Sequence, residues 1–375
     1  MNDYFHQIFK LNCDNKHVDS LVDVTSIDFK KGWIERKPPK NDDETEPSFP
    51  GEYASKPQSS FCMKVPNGNY LVTMTFSSDS CDSMTTVKAN NGHIVLKDVH
   101  VKKRGTRKLS FTSRVDDYLL KLALLPEIKG DLSVEVELVS SMPTIFLAGD
   151  STMTDDSSSM YPFTGWGQMF SLFLSNQIAV ANHAKSGRSS RSFIEEGRLD
   201  KIWKDTKRGD ILMIQFSHND EKPDERGTDP KTTFPAYLME YIVGARERGV
   251  TPVLITPMHR RFFDEGGKVK DTHGPYIKAI EKLSIEESVP LIPLDRKSKE
   301  LYEKLGVEGS KKLFMWLQEN EYPNFAEALE DNTHFNVEGA VELACLVAES
   351  IQEENIQSLI KYLKLKEFQT EEPPL

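Results

Sequence analysis

Near Pro143 the hydrophobic pattern of this chain changes its period, and that change limits the possible fold more than any single motif. From about residue 17 to 140 the apolar residues alternate in short runs. Tyr70–Phe76, His93–Val99, Lys108–Phe111, Tyr118–Leu125 and Leu132–Val139 read as strands. Turn pairs punctuate them at Asn67-Gly68, Asn91-Gly92 and Lys129-Gly130. No helical period interrupts them, so residues 1–142 read as an antiparallel β-sandwich domain. The Pro-, Asp- and Glu-rich stretch Arg36–Gln58 reads as a surface loop.

Beyond the linker at Ser140–Pro143, strands and helices alternate. Strand candidates are Thr144–Ala148, Ile178–Asn182, Ile211–Phe216, Pro252–Thr256 and Pro290–Leu294. Helices are expected over Gly165–Leu174, Ser192–Asp205, Phe234–Arg248, Gly274–Glu287, Lys297–Leu305 and Val337–Gln352. Asn336 is the expected N-cap of the last helix, and Ser192 with Glu195 reads as a capping box. Such alternation means a parallel sheet with helices on both faces, so residues 143–375 form an α/β domain. The tail Lys366–Leu375 is polar and is expected to fray.

The two-domain reading agrees with a length of 375 residues. No apolar run approaches the roughly 18 residues of a membrane span. A net charge of −11 argues against a nucleic-acid footprint. Four scattered cysteines offer no disulfide framework and no metal spacing. The N-terminus has no basic region leading into an apolar one. If Met1 is the native start, a cytoplasmic protein is expected; if the chain has been trimmed, a secreted one. The oligomeric state is not readable.

In an open α/β sheet, ligands bind beyond the carboxyl ends of the strands. Those positions hold Gly149-Asp150-Ser151-Thr152, then Lys185-Ser186-Gly187-Arg188, Ser217-His218-Asn219-Asp220 and Pro257-Met258-His259-Arg260-Arg261. Asp331-Asn332-Thr333-His334 precedes the last helix. A serine hydroxyl becomes a nucleophile only beside a base. His334 can be that base for Ser151, and Asp331 can hold the imidazole through Nδ1–H. The Ser151 N–H, the Gly187 N–H and the Asn219 side-chain amide can serve as oxyanion donors, each worth about 3 kcal/mol in the transition state. Neither metal nor cofactor is required by such a site. Singly, each motif is a common turn; the ordered set carries the reading.

That order, GDST, SGRSSRSF, SHND and DNTHFN, resembles the SGNH (GDSL-like) hydrolase superfamily. Within it, IFLAGDSTMTDD, GWGQMF, NHAKSGRSSRSF, QFSHND, TPMHRR and THFNVEGA resemble the rhamnogalacturonan acetylesterases. The resemblance covers about residues 143–355. It implies a three-layer, flavodoxin-like α/β/α domain with Ser151, Gly187, Asn219 and His334 as its four named residues. It also implies a galactose-binding-like type for the sandwich, an acetylated oligosaccharide or polysaccharide as substrate, and neither nucleic acid nor membrane as partner. The family has glycine where Ser217 stands, so φ there is expected to be negative or modestly strained.

Arg188, Arg191, His259, Arg260 and Arg261 are candidates for gripping a sugar carboxylate. The competing expectation is that these arginines pair with Asp150, Asp220 or Glu195 to hold loops. Trp166, with Met169, Phe170 and Phe173, reads as core. Three other functions compete. A metallophosphoesterase lacks the opening and closing metal motifs. A lipase, thioesterase or acyltransferase would want an apolar groove where these loops are polar and basic. A non-catalytic sugar-binding protein would not need the complete serine–histidine–aspartate set.

Overall fold

The structure, a computed structural model, describes residues 6–12, 31–34, 60–126, 130–156 and 160–364. The expected loop Arg36–Gln58, the turn residue Lys129 and the tail Lys366–Leu375 lie outside the described residues. Two compact units form: one from Met1–Met142 with Asp156–Tyr161 and Ser175–Val180, the other from Pro143–Asp155, Pro162–Leu174 and Ala181–Leu375.

The first unit is an antiparallel pair of sheets. Strands β1 (His6–Asn12), β4 (Gly68–Ser78), β7 (Gly105–Val115) and β9 (Asp131–Leu138) form one, in the order β1-β9-β4-β7. Strands β2 (Lys31–Ile34), β3 (Ser60–Lys64), β5 (Ser83–Ala89), β6 (His93–Val101) and β8 (Leu119–Leu125) form the other, in the order β2-β3-β8-β5-β6. Alternation builds the core. Tyr70, Val72, Met74 and Phe76 of β4 point inward beside Leu132, Val134 and Val136 of β9. They meet Phe61, Met63, Val87, Leu120, Leu122 and Leu124 from the second sheet. Asn91-Gly92 turns β5 into β6. Asn67-Gly68 instead opens β4, whose neighbours are β7 and β9.

In the second unit, β10 (Thr144–Gly149), β11 (Ala179–Asn182), β12 (Ile211–Gln215), β13 (Thr251–Ile255) and β14 (Leu291–Ile292) line up as β11-β10-β12-β13-β14. This is a 2-1-3-4-5 order, with parallel pairing of β10 to β12, β12 to β13 and β13 to β14. β10 and β12 are buried at every position, as a parallel sheet covered on both faces requires. One face carries Phe146, Ala148, Leu212, Ile214 and Leu254. It packs on α1 (Ser190–Glu195), α2 (Arg198–Asp205), α3 (Thr233–Glu247) and α4 (Gly274–Glu286). Toward the other face, Leu147 approaches a 3-10 helix at Trp166–Phe173, which packs against α6 (Val337–Glu353).

Between α4 and α6 lie α5 (Leu294–Gly309) and the antiparallel pair β15 (Phe314–Leu317) and β16 (Leu329–Phe335). Asn336 caps α6 as expected, accepting from the Gly339 N–H at 3.0 Å. The expected helix Ser192–Asp205 is two helices, because Gly197 takes a left-handed φ of 69° between them. The capping box belongs to Ser189 and Ser192, not to Ser192 and Glu195. No helix among the described residues is long and apolar enough to cross a membrane.

Candidate active site

β10 ends at Gly149, and the chain turns at once through Asp150 and Ser151. Asp150 is fully buried and accepts from the Thr152 N–H at 3.0 Å and its hydroxyl at 2.8 Å. Its other oxygen faces His218 Nδ1 at 3.4 Å. Burial pushes the Asp150 carboxyl up, but the His218 charge and the Thr152 bonds outweigh it, so its pKa falls below the ordinary value. Below the turn, Trp166 Nε1 donates to Gln215 at 2.9 Å, and Gln215 donates to the Thr152 hydroxyl at 2.7 Å. The Ser151 turn thus rests on a buried chain from Trp166 through Gln215 and Thr152 to Asp150. Trp166 is core, as its helical context indicated; Gln215, inside an apolar strand, gave no comparable signal.

Ser151 stands above this support. Its Oγ lies 2.9 Å from His334 Nε2, and His334 Nδ1 lies 2.7 Å from Asp331 Oδ2. The second Asp331 oxygen accepts the Thr333 N–H at 2.7 Å and the His334 N–H at 3.0 Å. Burial raises the Asp331 carboxyl, but the His334 bond and charge and these two amides prevail, so its pKa drops. The acid and the imidazole both sit on β16, just ahead of α6. Phe163 packs against the imidazole, with ring centroids 4.7 Å apart.

β16 is held from outside by Arg261. Its backbone N–H donates to Asn332 O at 2.7 Å. Its guanidinium donates to Asn332 Oδ1 at 2.9 Å, to the Ser310 hydroxyl at 3.0 Å and to Val307 O. Trp316 donates to the same Asn332 oxygen at 3.0 Å. Arg261 therefore braces the segment between Asp331 and His334.

Besides the Ser151 N–H, the oxyanion candidates Gly187 and Asn219 lie on the loops that follow the two neighbours of β10. Gly187 has φ of 80°, the left-handed region that favours glycine. Among the described residues, neither the Ser151 N–H nor the Gly187 N–H has an acceptor within the protein. The Asn219 amide donates to Arg188 O at 3.1 Å, and its oxygen accepts from Arg226 Nη1 at 3.4 Å. Ser217 has a φ of 158°, on the strained side of the expectation. Its hydroxyl donates to Glu221 at 2.6 Å, which ties the strained residue to the half-buried Glu221 and Arg260 and the buried His273.

The basic residues are engaged locally. Arg188 Nε donates to both oxygens of Glu196, at 3.0 and 2.9 Å, and Arg191 pairs with Glu195 at 2.8 Å. Arg260 bonds Glu221 and Thr272, each at 3.0 Å. His259 is buried, and burial together with the His273 charge lowers its pKa. Arg191 thus follows the loop-holding expectation, while His259 and Arg260 turn inward. The partners Glu196 and Glu221 escaped sequence reasoning because neither stands at a helical spacing from its arginine.

A serine, an imidazole and a carboxylate in hydrogen-bonded relay are the arrangement of an acyl hydrolase. The chain belongs to the GDSL-like lipase/acylhydrolase family, whose model matches residues 145–347. It is 50% identical over 209 residues to rhamnogalacturonan acetylesterase RhgT of Bacillus subtilis (strain 168), covering 56% of this chain and 89% of that protein. It is 41% identical over 223 residues to the probable rhamnogalacturonan acetylesterase YesY of the same organism, covering 58% of this chain and 97% of that one. The crystal structure of Bacillus subtilis protein YxiM matches with a TM-score of 0.53 at 25% identity, across 82% of this chain and 83% of that one.

Proposed function

We propose that this chain is a carbohydrate acetylesterase that removes O-acetyl groups from pectin-derived rhamnogalacturonan oligosaccharides. The observation that carries the reading is the unbroken relay from Ser151 through His334 to Asp331, in a chain that over 209 residues is 50% identical to a protein named rhamnogalacturonan acetylesterase. Ser151 attacks the acetyl carbonyl as His334 Nε2 takes its proton. Asp331 holds the imidazole in the tautomer that leaves Nε2 free to accept, and it stabilises the imidazolium. The Ser151 and Gly187 N–H groups and the Asn219 amide stabilise the oxyanion. His334 then protonates the departing sugar hydroxyl, and water releases acetate from the acetyl-enzyme.

Arg188 and Arg191 keep about a third of their side-chain surface exposed. They are the residues we assign to a uronate carboxylate, in competition with their own glutamates. The N-terminal unit is read as a galactose-binding-like module, a reading supported by its two antiparallel sheets. The test is acetate release from acetylated rhamnogalacturonan, xylan and short sugars, with Ser151→Ala as control. Preference for rhamnogalacturonan and loss of release in the variant are expected. Equal rates on all substrates would remove the substrate assignment, and an active Ser151→Ala would remove the mechanism.

A further inference from the structure

We propose that Arg226 is a positioning residue that fixes which way the Asn219 amide faces. A terminal amide carries an acceptor oxygen on one side and two N–H donors on the other. A half-turn about its last bond exchanges them, so an amide that serves as an oxyanion donor must be held in one orientation. Two neighbours hold this one. Arg188 O accepts from Asn219 Nδ2 at 3.1 Å, and Arg226 Nη1 donates to Asn219 Oδ1 at 3.4 Å. Reversing the amide would set oxygen against carbonyl oxygen and NH₂ against guanidinium. Both contacts reject the reversed form, and the accepted form leaves one Asn219 N–H free for an oxyanion.

Arg226 is built to do this. Asp224 takes its Nε at 3.0 Å and its Nη2 at 2.5 Å, and accepts its backbone N–H at 3.0 Å. Only Nη1 remains, and it reaches both Asn219 Oδ1 and Gly187 O, the latter at 3.5 Å. One guanidinium nitrogen therefore touches two of the residues assigned as oxyanion donors. A lysine could keep the charge but not the planar fork that lets Asp224 set the direction of the third nitrogen. The pair lies near the surface, with about a third of each side chain exposed, so its removal costs the fold little.

This inference rests on the reading of Asn219 as an oxyanion donor, and one double-mutant cycle tests the two separately. Steady-state hydrolysis of 4-nitrophenyl acetate is measured for the wild type, Arg226→Met, Arg226→Lys, Asn219→Ala and the Asn219→Ala/Arg226→Met pair, with melting temperatures alongside. Arg226→Met is expected to lower kcat about 10- to 100-fold, part of what a lost oxyanion donor costs. KM should stay within about twofold, and Arg226→Lys should recover only part of the rate. In the Asn219→Ala background the same Met substitution should change kcat by less than about twofold, because Arg226 then has no amide to orient. Multiplicative losses in the double variant would overturn the proposal. So would a wild-type kcat in Arg226→Met beside a crippled Asn219→Ala, or an effect confined to KM for 4-nitrophenyl acetate. A wild-type rate in Asn219→Ala would instead remove the oxyanion assignment itself, and this proposal with it.

Discussion

Replacing Asp331 by Asn tests the relay with almost no change of shape. One Asp331 oxygen already accepts two backbone N–H groups, from Thr333 and His334. The amide oxygen must stay there, so the new NH₂ is forced toward His334 Nδ1. Two donors cannot face each other; the imidazole therefore surrenders its Nδ1 proton and carries it on Nε2. That nitrogen lies 2.9 Å from Ser151 Oγ and can then no longer accept the serine proton. A wrong-tautomer triad loses roughly 10⁴-fold in kcat, about 5.5 kcal/mol of barrier. The assay is initial-rate acetate release at neutral pH, with melting curves to show that the variant is folded. A rate within about tenfold of wild type would refute the tautomer argument. Stability supplies a second readout. Asp331 titrates below its ordinary value of 3.8, so on acidification the unfolded chain takes up the proton first. The stabilisation is complete above about 3.8 and disappears as pH falls through the lower folded value. The melting-temperature gap between wild type and Asp331→Asn should therefore close in that acid window.

Activity should fall on the acid side, because an imidazole that already carries both protons cannot accept the serine's; a flat kcat/KM profile between about pH 5 and 9 would contradict this. Gly187→Ala should cost about 1–2 kcal/mol in chemical denaturation, through its positive φ alone, because the added carbon would meet nothing nearer than Arg226 Nη1 at 4.0 Å. Ser217→Gly should change stability by less than about 1 kcal/mol, relief of the backbone offsetting the lost Glu221 bond. Ser217→Ala keeps the strain and loses the bond, so it should be the worse of the two by about 1 kcal/mol or more.

Much of the catalytic unit was legible because its sheet is buried on both faces. Thr144–Ala148 and Ile211–Phe216 stand out as apolar runs, and they differ from β10 and β12 by single residues at their ends. The residues between strands gave the site its order, since Ser151, Gly187 and Asn219 each follow a strand end. β16 was missed: Asp331-Asn332-Thr333-His334 has no apolar alternation, and its pairing with β15 is a tertiary contact with no local trace. The same holds for β3 and β5, which the alternating texture did not separate. The arginine ion pairs were equally hidden, since a pair such as Arg188 Nε with Glu196 depends on how a loop meets a helix end.

The relay joins residues 183 positions apart, because Ser151 leaves the first strand of its sheet and His334 lies on β16, the last strand among the described residues. The sheet strands and helices between them set where those two atoms meet. If the proposed roles hold, ester cleavage reports assembly of this unit, and a molecule ending before β16 carries Ser151 without His334. Regain of hydrolysis after dilution from denaturant should trail the regain of helical signal, which makes the enzyme's own turnover a clock for its last folding event.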